Sequence, residues 1–264
     1  LALVRYNSFW TSGAAEVGAG LVACESSSGG CYVQLGAPAP TGGVDVTLTS
    51  SDATRLRLTA SVLQGPATSA GQGTVTIAVP AGQSYVYFNL HGLEGQTGAA
   101  TVTASAPGYT PSTGTVSVRA QALQLYTAAT TTSLSPNGAI SVSVCYANIG
   151  GTNAEGCSQR IRPAGTAVNV TLTNATSGVG QLTVIGGSTG QSVTGTIAVG
   201  QYTLPTSGTG SVQFDPLGAG TTTVTTTAAG VISGAGASQL VTVSAPSLAL
   251  VRYNSFWTSG AAEV

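Results

Sequence analysis

The chain has 264 residues and a formal net charge of −1, and charged residues make up only 6% of it. An average soluble domain carries roughly 25% charged residues. With so little charge, nothing attracts this chain to nucleic acid or to an anionic membrane, and we exclude both partner classes. Hydrophobic residues reach 42% and many are branched, which excludes a disordered chain.

Two further features of the composition bear on location and assembly. No apolar run is long enough to span a membrane, and no signal peptide is present. The chain opens on Leu1 without a methionine, so we expect it to begin inside a longer polypeptide. A near-neutral surface opposes self-association only weakly. Composition therefore favours a protein that packs into a fibre or sheath over a soluble cytosolic enzyme.

Apolar and polar residues alternate with a period of two along most of the chain, the pattern of β-strands with one buried face. No segment keeps a period of 3.6 residues, and the abundant Thr and Val disfavour helices. Clusters such as Gly42-Gly43 and Pro80-Ala81-Gly82 end the alternating runs. The positions predicted to face inward are Val44, Val46, Leu48, Leu56, Leu58, Ala60, Val75, Ile77, Val79, Val86, Phe88, Leu90, Val168, Val170, Leu172, Leu182, Val184, Val212, Phe214 and Val224. Short strands at this spacing predict an all-β fold of immunoglobulin-like sandwiches, with about seven strands each.

The sequence contains an identical repeat and a diverged one. Residues 1–17, LALVRYNSFWTSGAAEV, recur unchanged as residues 248–264. This copy is either an artificial duplication or the start of a second period of 247 residues. A weaker repeat within the period favours the second explanation, since Leu1-Ala2-Leu3 corresponds to Leu123-Gln124-Leu125 and residues 44–49 correspond to 168–173.

These repeats divide the chain. We predict one sandwich domain over residues 1–122, a second over 123–247, and the start of the next repeat over 248–264. No long flexible linker separates the two domains, so strand should run almost directly into strand and give a stiff rod. Residues 248–264 should follow the backbone path of residues 1–17, displaced by one repeat.

Several local features between residues 73 and 118 occur together. They are a Pro-Ala-Gly turn at 80–82, an aromatic strand with Phe88, Gly92-Leu93, and Thr101-Val102-Thr103-Ala104 before Pro107-Gly108-Tyr109. With these features the stretch resembles the bacterial immunoglobulin-like (Big-type) tandem repeats of surface proteins and adhesins. The resemblance covers residues 40–118 well and 165–243 less well, because the second half lacks the Pro-Gly-Tyr turn. It implies an extracellular stalk or spacer role at a bacterial surface, and it transfers no catalytic residue.

Two cysteine pairs, Cys24 with Cys31 and Cys145 with Cys157, each bracket a loop rich in Gly, Ser or Asn. Cysteines on either side of a hairpin loop can lie within disulfide distance, and bridges over such short loops stabilise by roughly 2–3 kcal/mol. A zinc site needs more closely spaced ligands. We therefore predict two disulfides and no metal, which places the protein outside the reducing cytosol, in the extracellular space or at the cell surface.

The single histidine, His91, is the one candidate for a catalytic base. Glu94 lies nearby in the sequence, but no nucleophile motif accompanies the two residues. A lone histidine at the end of a predicted strand is more often structural. We predict that the protein is not an enzyme and uses no cofactor.

The densest aromatic cluster is formed by Tyr6, Phe9 and Trp10, and it recurs as Tyr253, Phe256 and Trp257. Tyr and Trp contribute strongly to the energy of protein interfaces. These residues are either core or junction plugs, or anchors between successive repeats or neighbouring chains. The sequence leaves both interpretations open.

Three functions fit these observations. The first is a structural fibre or sheath whose partner is the protein itself, both as adjacent repeats and as neighbouring chains. The second is an adhesin stalk that presents a distal binding domain. The third is a carbohydrate-binding array, for which Tyr85 and Tyr87 are the candidate aromatic residues. Low charge and identical repetition favour the first.

Overall fold

The computed structural model describes residues 1–5, 8–9, 14–25, 30–61, 67–248, 251–252 and 255–256. Within these ranges the chain forms 25 β-strands and one short 3₁₀ helix, Ala235–Ala237. The strands build two tandem immunoglobulin-like β-sandwiches, so the predicted all-β fold class is confirmed.

The first sandwich comprises strands β1 to β11. Their bounds are β1 (Ala2–Arg5), β2 (Ser8–Phe9), β3 (Ala15–Gly18), β4 (Leu21–Ala23), β5 (Cys31–Gln34), β6 (Val44–Ser50), β7 (Leu56–Ala60), β8 (Thr74–Val79), β9 (Tyr85–Gly92), β10 (Gly98–Ala106) and β11 (Tyr109–Arg119). One sheet has the order β4-β9-β5-β1-β2, with β7 also paired to β9, and the other has the order β3-β11-β10-β6-β8. Strand β3 runs parallel to β11, whereas the other pairs are antiparallel.

The second sandwich comprises most of the strands from β12 to β23. Their bounds are β12 (Gln121–Tyr126), β13 (Thr130–Thr132), β14 (Gly138–Ala147), β15 (Ala154–Glu155), β16 (Arg160–Ile161), β17 (Val168–Asn174), β18 (Gly180–Val184), β19 (Thr189–Gly190), β20 (Ser192–Ile197), β21 (Val212–Pro216), β22 (Gly220–Ala228) and β23 (Ser238–Ser244). Its sheets have the orders β12-β14-β21-β18-β19, with β15 on β14, and β13-β23-β22-β17-β20. Strand β16 is the exception, because it pairs with β4 of the first sandwich.

A last hairpin follows the second sandwich. It consists of β24 (Val251–Arg252) and β25 (Ser255–Phe256). Within the described ranges these two strands pair with each other and with no other strand.

Each sandwich has its own hydrophobic core, built from the predicted period of two. In the first, Val46 and Leu48 of β6 face Leu56 and Leu58 of β7, and all four are fully buried. In the second, Leu172 of β17 and Leu182 of β18 are likewise fully buried in the core. Full burial of such a side chain stabilises by about 1.5–3 kcal/mol, so the alternating runs account for the two layers of each sandwich.

The strands β4 and β5 lie end to end on the same flank of β9. Val22 of β4 is opposite His91, and Cys31 of β5 is opposite Phe88. The disulfide between Cys24 and Cys31 joins the residue that follows β4 to the first residue of β5. The short strand β4 is thereby held in the sheet at the place where β16 joins it.

Candidate junction between the two sandwiches

A short segment of the second sandwich, residues 158–162, lies against the first sandwich, and we call it the strap. In its strand β16, Ile161 is paired with Leu21 of β4. One residue further on, the backbone amide of Arg162 donates to the carbonyl oxygen of Gly20 over 3.0 Å. A sheet of the first sandwich therefore continues into a segment of the second.

Gln159 attaches the strap to the edge strand β3. Its side-chain oxygen accepts a hydrogen bond from the amide of Gly18 over 2.8 Å, and its side-chain nitrogen donates to the carbonyl oxygen of Glu16 over 2.9 Å. The side-chain amide thus supplies the donor and the acceptor that a neighbouring strand would supply. Gln159 is only 7% exposed, and an unpaired polar group at such a position would cost about 1–3 kcal/mol.

Arg162 brings a buried charge to the junction. Its Nη2 lies 2.8 Å from Oε2 of Glu94, and its Nε lies 3.0 Å from Oε1 of the same carboxylate. Its Nη1 donates to the carbonyl oxygen of Ala70 over 3.2 Å. A two-pronged pair between a guanidinium and a carboxylate fixes direction as well as distance, so Arg162 sets the orientation of the strap on the first sandwich.

A second ion pair crosses the same boundary. Nε of Arg160 lies 3.8 Å from Oε2 of Glu25. Burial raises the pKa of the Glu25 carboxyl, while the amide of Ala67 and the charge of Arg160 offset part of that effect. Of the four ion pairs in the described part of the chain, two join the first sandwich to the strap. Four of the chain's fifteen charged residues therefore pair across the boundary where the two sandwiches meet.

The junction also has an apolar component. Leu21 belongs to β4 of the first sandwich, yet its fully buried side chain packs in the core of the second. Its neighbour across the pairing, Ile161, is also fully buried in that core. Strand β4 thus links the two cores, because Leu21 packs in the second core and Ala23 packs in the first.

Gly20 makes the turn into β4 possible. Its φ angle is +73°, a conformation that residues with a side chain rarely adopt. A Cβ atom there would also lie 2.9 Å from the side-chain nitrogen of Gln121. The amide of Gly20 donates to the carbonyl oxygen of Gly92 over 2.9 Å, which holds the turn against β9.

Both predicted cysteine pairs are joined in the structure, and both bonds lie beside the junction. Cys145 and Cys157 are 12 residues apart in sequence, and their bond closes the loop that carries β15. Cys157 comes two residues before Gln159. The bond therefore fixes the start of the strap to β14, as the bond between Cys24 and Cys31 fixes β4 on the other side.

His91 is part of this junction and is fully buried. Burial, with a contribution from the nearby charge of Arg162, lowers the pKa of His91 from its ordinary 6.5 to about 4. Its Nε2 lies 2.9 Å from the hydroxyl of Thr59, while its Nδ1 has no hydrogen-bond partner among the described residues. A base that is sealed from solvent and lacks an orienting acceptor is poorly suited to activate that hydroxyl.

The burial of His91 corrects two details of the sequence interpretation. Asn89 and His91 lie on the face of β9 opposite to Phe88 and Leu90, yet both are buried. Thr59 is buried beside them, whereas Ala60, predicted to face inward, is exposed. The reason is that other parts of the chain, including Gly71, cover this outer face.

Two grooves flank the junction. One, of about 390 Å³, lies between residues 97–99, 117–120 and 147–149. The other, of about 300 Å³, is lined by residues 22–25, 158–160 and Tyr202. Their charged lining groups, Arg119 in the first groove and Glu25 and Arg160 in the second, already belong to ion pairs.

The described ranges contain no metal-ligating cluster and no membrane-spanning helix. No group of three or more His, Cys, Asp or Glu side chains in them is placed to hold a metal ion. No helix in them is long and apolar enough to cross a membrane.

The aromatic residues predicted as anchors lie largely outside the described part of the chain. Tyr6, Trp10, Tyr253 and Trp257 are not described at all, and for Phe9 and Phe256 only the strand pairing is described. Phe9 pairs with Val4 in the hairpin β1-β2, and Phe256 pairs with Val251 in the hairpin β24-β25. Whether the aromatic side chains are plugs or anchors stays a prediction.

The pairing of the strap with the first sandwich was not predicted from the sequence. The segment Ser158 to Gly165 has no period of two and reads as a loop. One signal was present, because Arg160 and Arg162 are two of only seven basic residues in the chain. Two such charges within three residues of a loop indicate a local role for charge.

No protein-family model matches the sequence, and no curated protein matches it. Among solved structures, the chain is similar to the Yersinia pseudotuberculosis adhesin InvE, with 22% identity, a TM-score of 0.28, and coverage of 78% of this chain and 50% of that one. It is also similar to domains 4–9 of the surface layer protein SbsC (16% identity, TM-score 0.30, coverage 94% and 32%). A third similar structure is invasin, a bacterial integrin-binding protein (15% identity, TM-score 0.30, coverage 83% and 40%). This chain spans half or less of the length of each of these structures. TM-scores this low do not define the architecture, which follows from the strands of this chain itself: two tandem immunoglobulin-like sandwiches.

Proposed function

We propose that this chain is a structural, non-enzymatic repeat unit of a long extracellular bacterial fibre, filament or sheath. The observation that carries the proposal is the strap, which pairs with β4 and so joins the two sandwiches by main-chain hydrogen bonds. A passive polymer needs joints that keep successive domains in line. A flexible tether has no such need.

The mechanics of the joint support this function. The covalent connection between the sandwiches is short, because only Ala120 lies between β11 and β12. A single covalent crossing would act as a hinge. The strap adds a second line of attachment, made by strand pairing, the Gln159 hydrogen bonds and the pair of Arg162 with Glu94. Two separate attachments resist bending, as a fibre requires.

The surface chemistry supports lateral packing of such rods. Threonine is the commonest residue at exposed positions of the described strands, for example Thr74 and Thr76 on the edge strand β8. Neutral hydrogen-bonding side chains neither repel nor strongly attract a second copy. An edge strand without charge is open to pairing with another chain. We propose neighbouring copies of this chain as the lateral partners.

The tyrosine residues argue against a carbohydrate-binding array. Tyr32, Tyr85 and Tyr87 form one cluster with ring centroids 5.4–6.3 Å apart. Their planes are inclined to each other by 57–76°, and two of the three pairs meet edge to face. Rings packed in this way stabilise one another, but they do not form the flat ladder on which a sugar chain stacks.

An adhesin stalk remains the second candidate, because a stalk would use the same stiff joint. Immunogold electron microscopy of the cells that make the protein separates the two, with an antibody raised against the 264-residue chain. Gold along the full length of regular filaments or a sheath supports the proposed function. Gold confined to single thin threads that end in a distinct head supports the stalk. Gold inside the cells would overturn both.

A further inference from the structure

Three tyrosine residues form a patch on the outer face of the sheet that contains β5 and β9. Tyr32 of β5 is directly opposite Tyr87 of β9, and Tyr85 comes two residues before Tyr87 on the same strand. Their strand neighbours Val33 and Phe88 point into the first core, and successive residues of a strand point to opposite faces. The three tyrosine side chains therefore project outward, where Tyr85 is 45% exposed and the other two are half-buried.

The rings of this patch are in contact. The ring centroids of Tyr32 and Tyr87 are 5.5 Å apart, and the ring of Tyr85 lies 5.4 Å from that of Tyr87. Residues directly opposite each other on antiparallel strands have Cβ atoms only about 4.5–5.5 Å apart, whereas residues two apart on one strand are separated by about 6.6 Å. Tyr32 and Tyr87 are therefore the pair whose ring edges meet with the least movement of the backbone.

The composition of the chain directs oxidation toward tyrosine. Thiols and thioethers consume oxidants, but all four cysteines are in disulfides and the sequence contains no methionine. Disulfides also indicate a location outside the reducing cytosol. An oxidant that reaches this face of the first sandwich therefore meets the exposed phenol ring of Tyr85 without competition from reduced sulfur.

We propose that Tyr32 and Tyr87 are a cross-linking site, at which hydrogen peroxide and a haem peroxidase join the two rings as dityrosine. Each phenol loses one electron and its hydroxyl proton and becomes a tyrosyl radical. The radicals combine through a new bond between their Cε carbons, and the proton that each of these carbons carried moves to the phenol oxygen. One molecule of peroxide takes up the two electrons and two protons and becomes two molecules of water. Tyr85 is the solvent-facing ring that is oxidised first, and its radical takes an electron and a proton from Tyr87.

The new bond ties β5 covalently to β9, the strand that also pairs with β4 and β7. It closes a loop between residues 32 and 87, which contains β6, β7 and β8. The disulfide between Cys24 and Cys31 already joins the end of β4 to β5. The inference goes beyond the proposed function, because it adds a covalent bond within one sandwich and applies to a fibre and to a stalk alike.

The test treats the full 264-residue chain with hydrogen peroxide and a haem peroxidase, then reduces the monomer, digests it with trypsin and maps the peptides by mass spectrometry. Trypsin cuts after arginine, so Tyr32 falls in peptide 6–55 and Tyr87 falls in peptide 58–119. A bond between these two residues links the two peptides, with a combined mass that is lower by two hydrogen atoms. A bond between Tyr85 and Tyr87 stays within one peptide. The parent chain should yield the linked pair together with the fluorescence of dityrosine.

Phenylalanine variants keep the ring and remove the phenol. Tyr32→Phe and Tyr87→Phe should each lower the yield of the linked pair at least tenfold, and Tyr85→Phe should slow its formation several-fold without changing the product. Tyr126→Phe is the matched control and should have no effect, because Tyr126 is 52% exposed but lies in the second sandwich. A parent chain that gives no linked pair would overturn the proposal, and so would a pair that persists in Tyr32→Phe or forms equally well in the chain unfolded by urea. Each of these results leaves the immunogold test of the fibre unaffected.

Discussion

Leu21 offers the clearest way to test whether the two sandwiches are energetically coupled. It lies in a strand of the first sandwich, but its side chain is fully buried in the core of the second. Truncation of a buried leucine to alanine costs about 2–5 kcal/mol, as the sum of lost transfer energy and the cavity left behind. We therefore expect Leu21→Ala to lower the free energy of unfolding of the second sandwich by that amount, although the mutation lies about 100 residues before its first strands.

Hydrogen exchange of backbone amides resolves the two sandwiches separately. Since 1.4 kcal/mol corresponds to a factor of ten, the slowest amides of β17 and β18 should exchange about 30-fold to several thousandfold faster in Leu21→Ala. Leu58→Ala is the matched control, because Leu58 is equally buried but belongs to the first core alone. It should accelerate exchange in the first sandwich and leave β17 and β18 nearly unchanged. If Leu21→Ala affected the first sandwich alone, the assignment of its side chain to the second core would be refuted.

Three other changes probe the junction. Arg162→Gln removes the pair with Glu94, and we expect exchange of the strap amides to accelerate at least tenfold in 0.1 M salt while the strands of both cores keep their protection. Replacement of Cys145 and Cys157 by alanine should lower the free energy of unfolding of the second sandwich by about 3 kcal/mol, measured with urea, since the bridge closes a short loop. His91 is neutral in the folded chain down to about pH 4, whereas the unfolded chain takes up its proton below pH 6.5. The free energy of unfolding should therefore fall by about 3 kcal/mol as the pH is lowered from 6.5 to 4. His91→Gln should remove that part of the pH dependence relative to the parent chain, and an unchanged profile would contradict the assignment.

The strands and their inward faces could be predicted from the sequence because the period of two is a local property. Val46, Leu48 and Phe88 lie in alternating runs, and each run needs only one covered face. The two disulfides could also be predicted, since a short loop between two strands limits where its ends can lie.

The junction could not be predicted, because its elements exist only through partners distant in sequence. Strand β16 has two residues and no alternation, and it is a strand because β4 lies beside it. Leu21 lies in a strand of the first sandwich but packs in the second core. His91 is buried because residues from elsewhere in the chain cover the outer face of β9. No local pattern contains this information.

We expect the strap to hold the two sandwiches as one rigid unit. Relaxation of the ¹⁵N nuclei of the backbone measures how each sandwich tumbles in solution. We predict that a single rotational diffusion tensor, with the long axis expected of one 25.8 kDa body, fits the amides of both sandwiches. Separate and faster tumbling of each sandwich in the unmodified chain would contradict the claim.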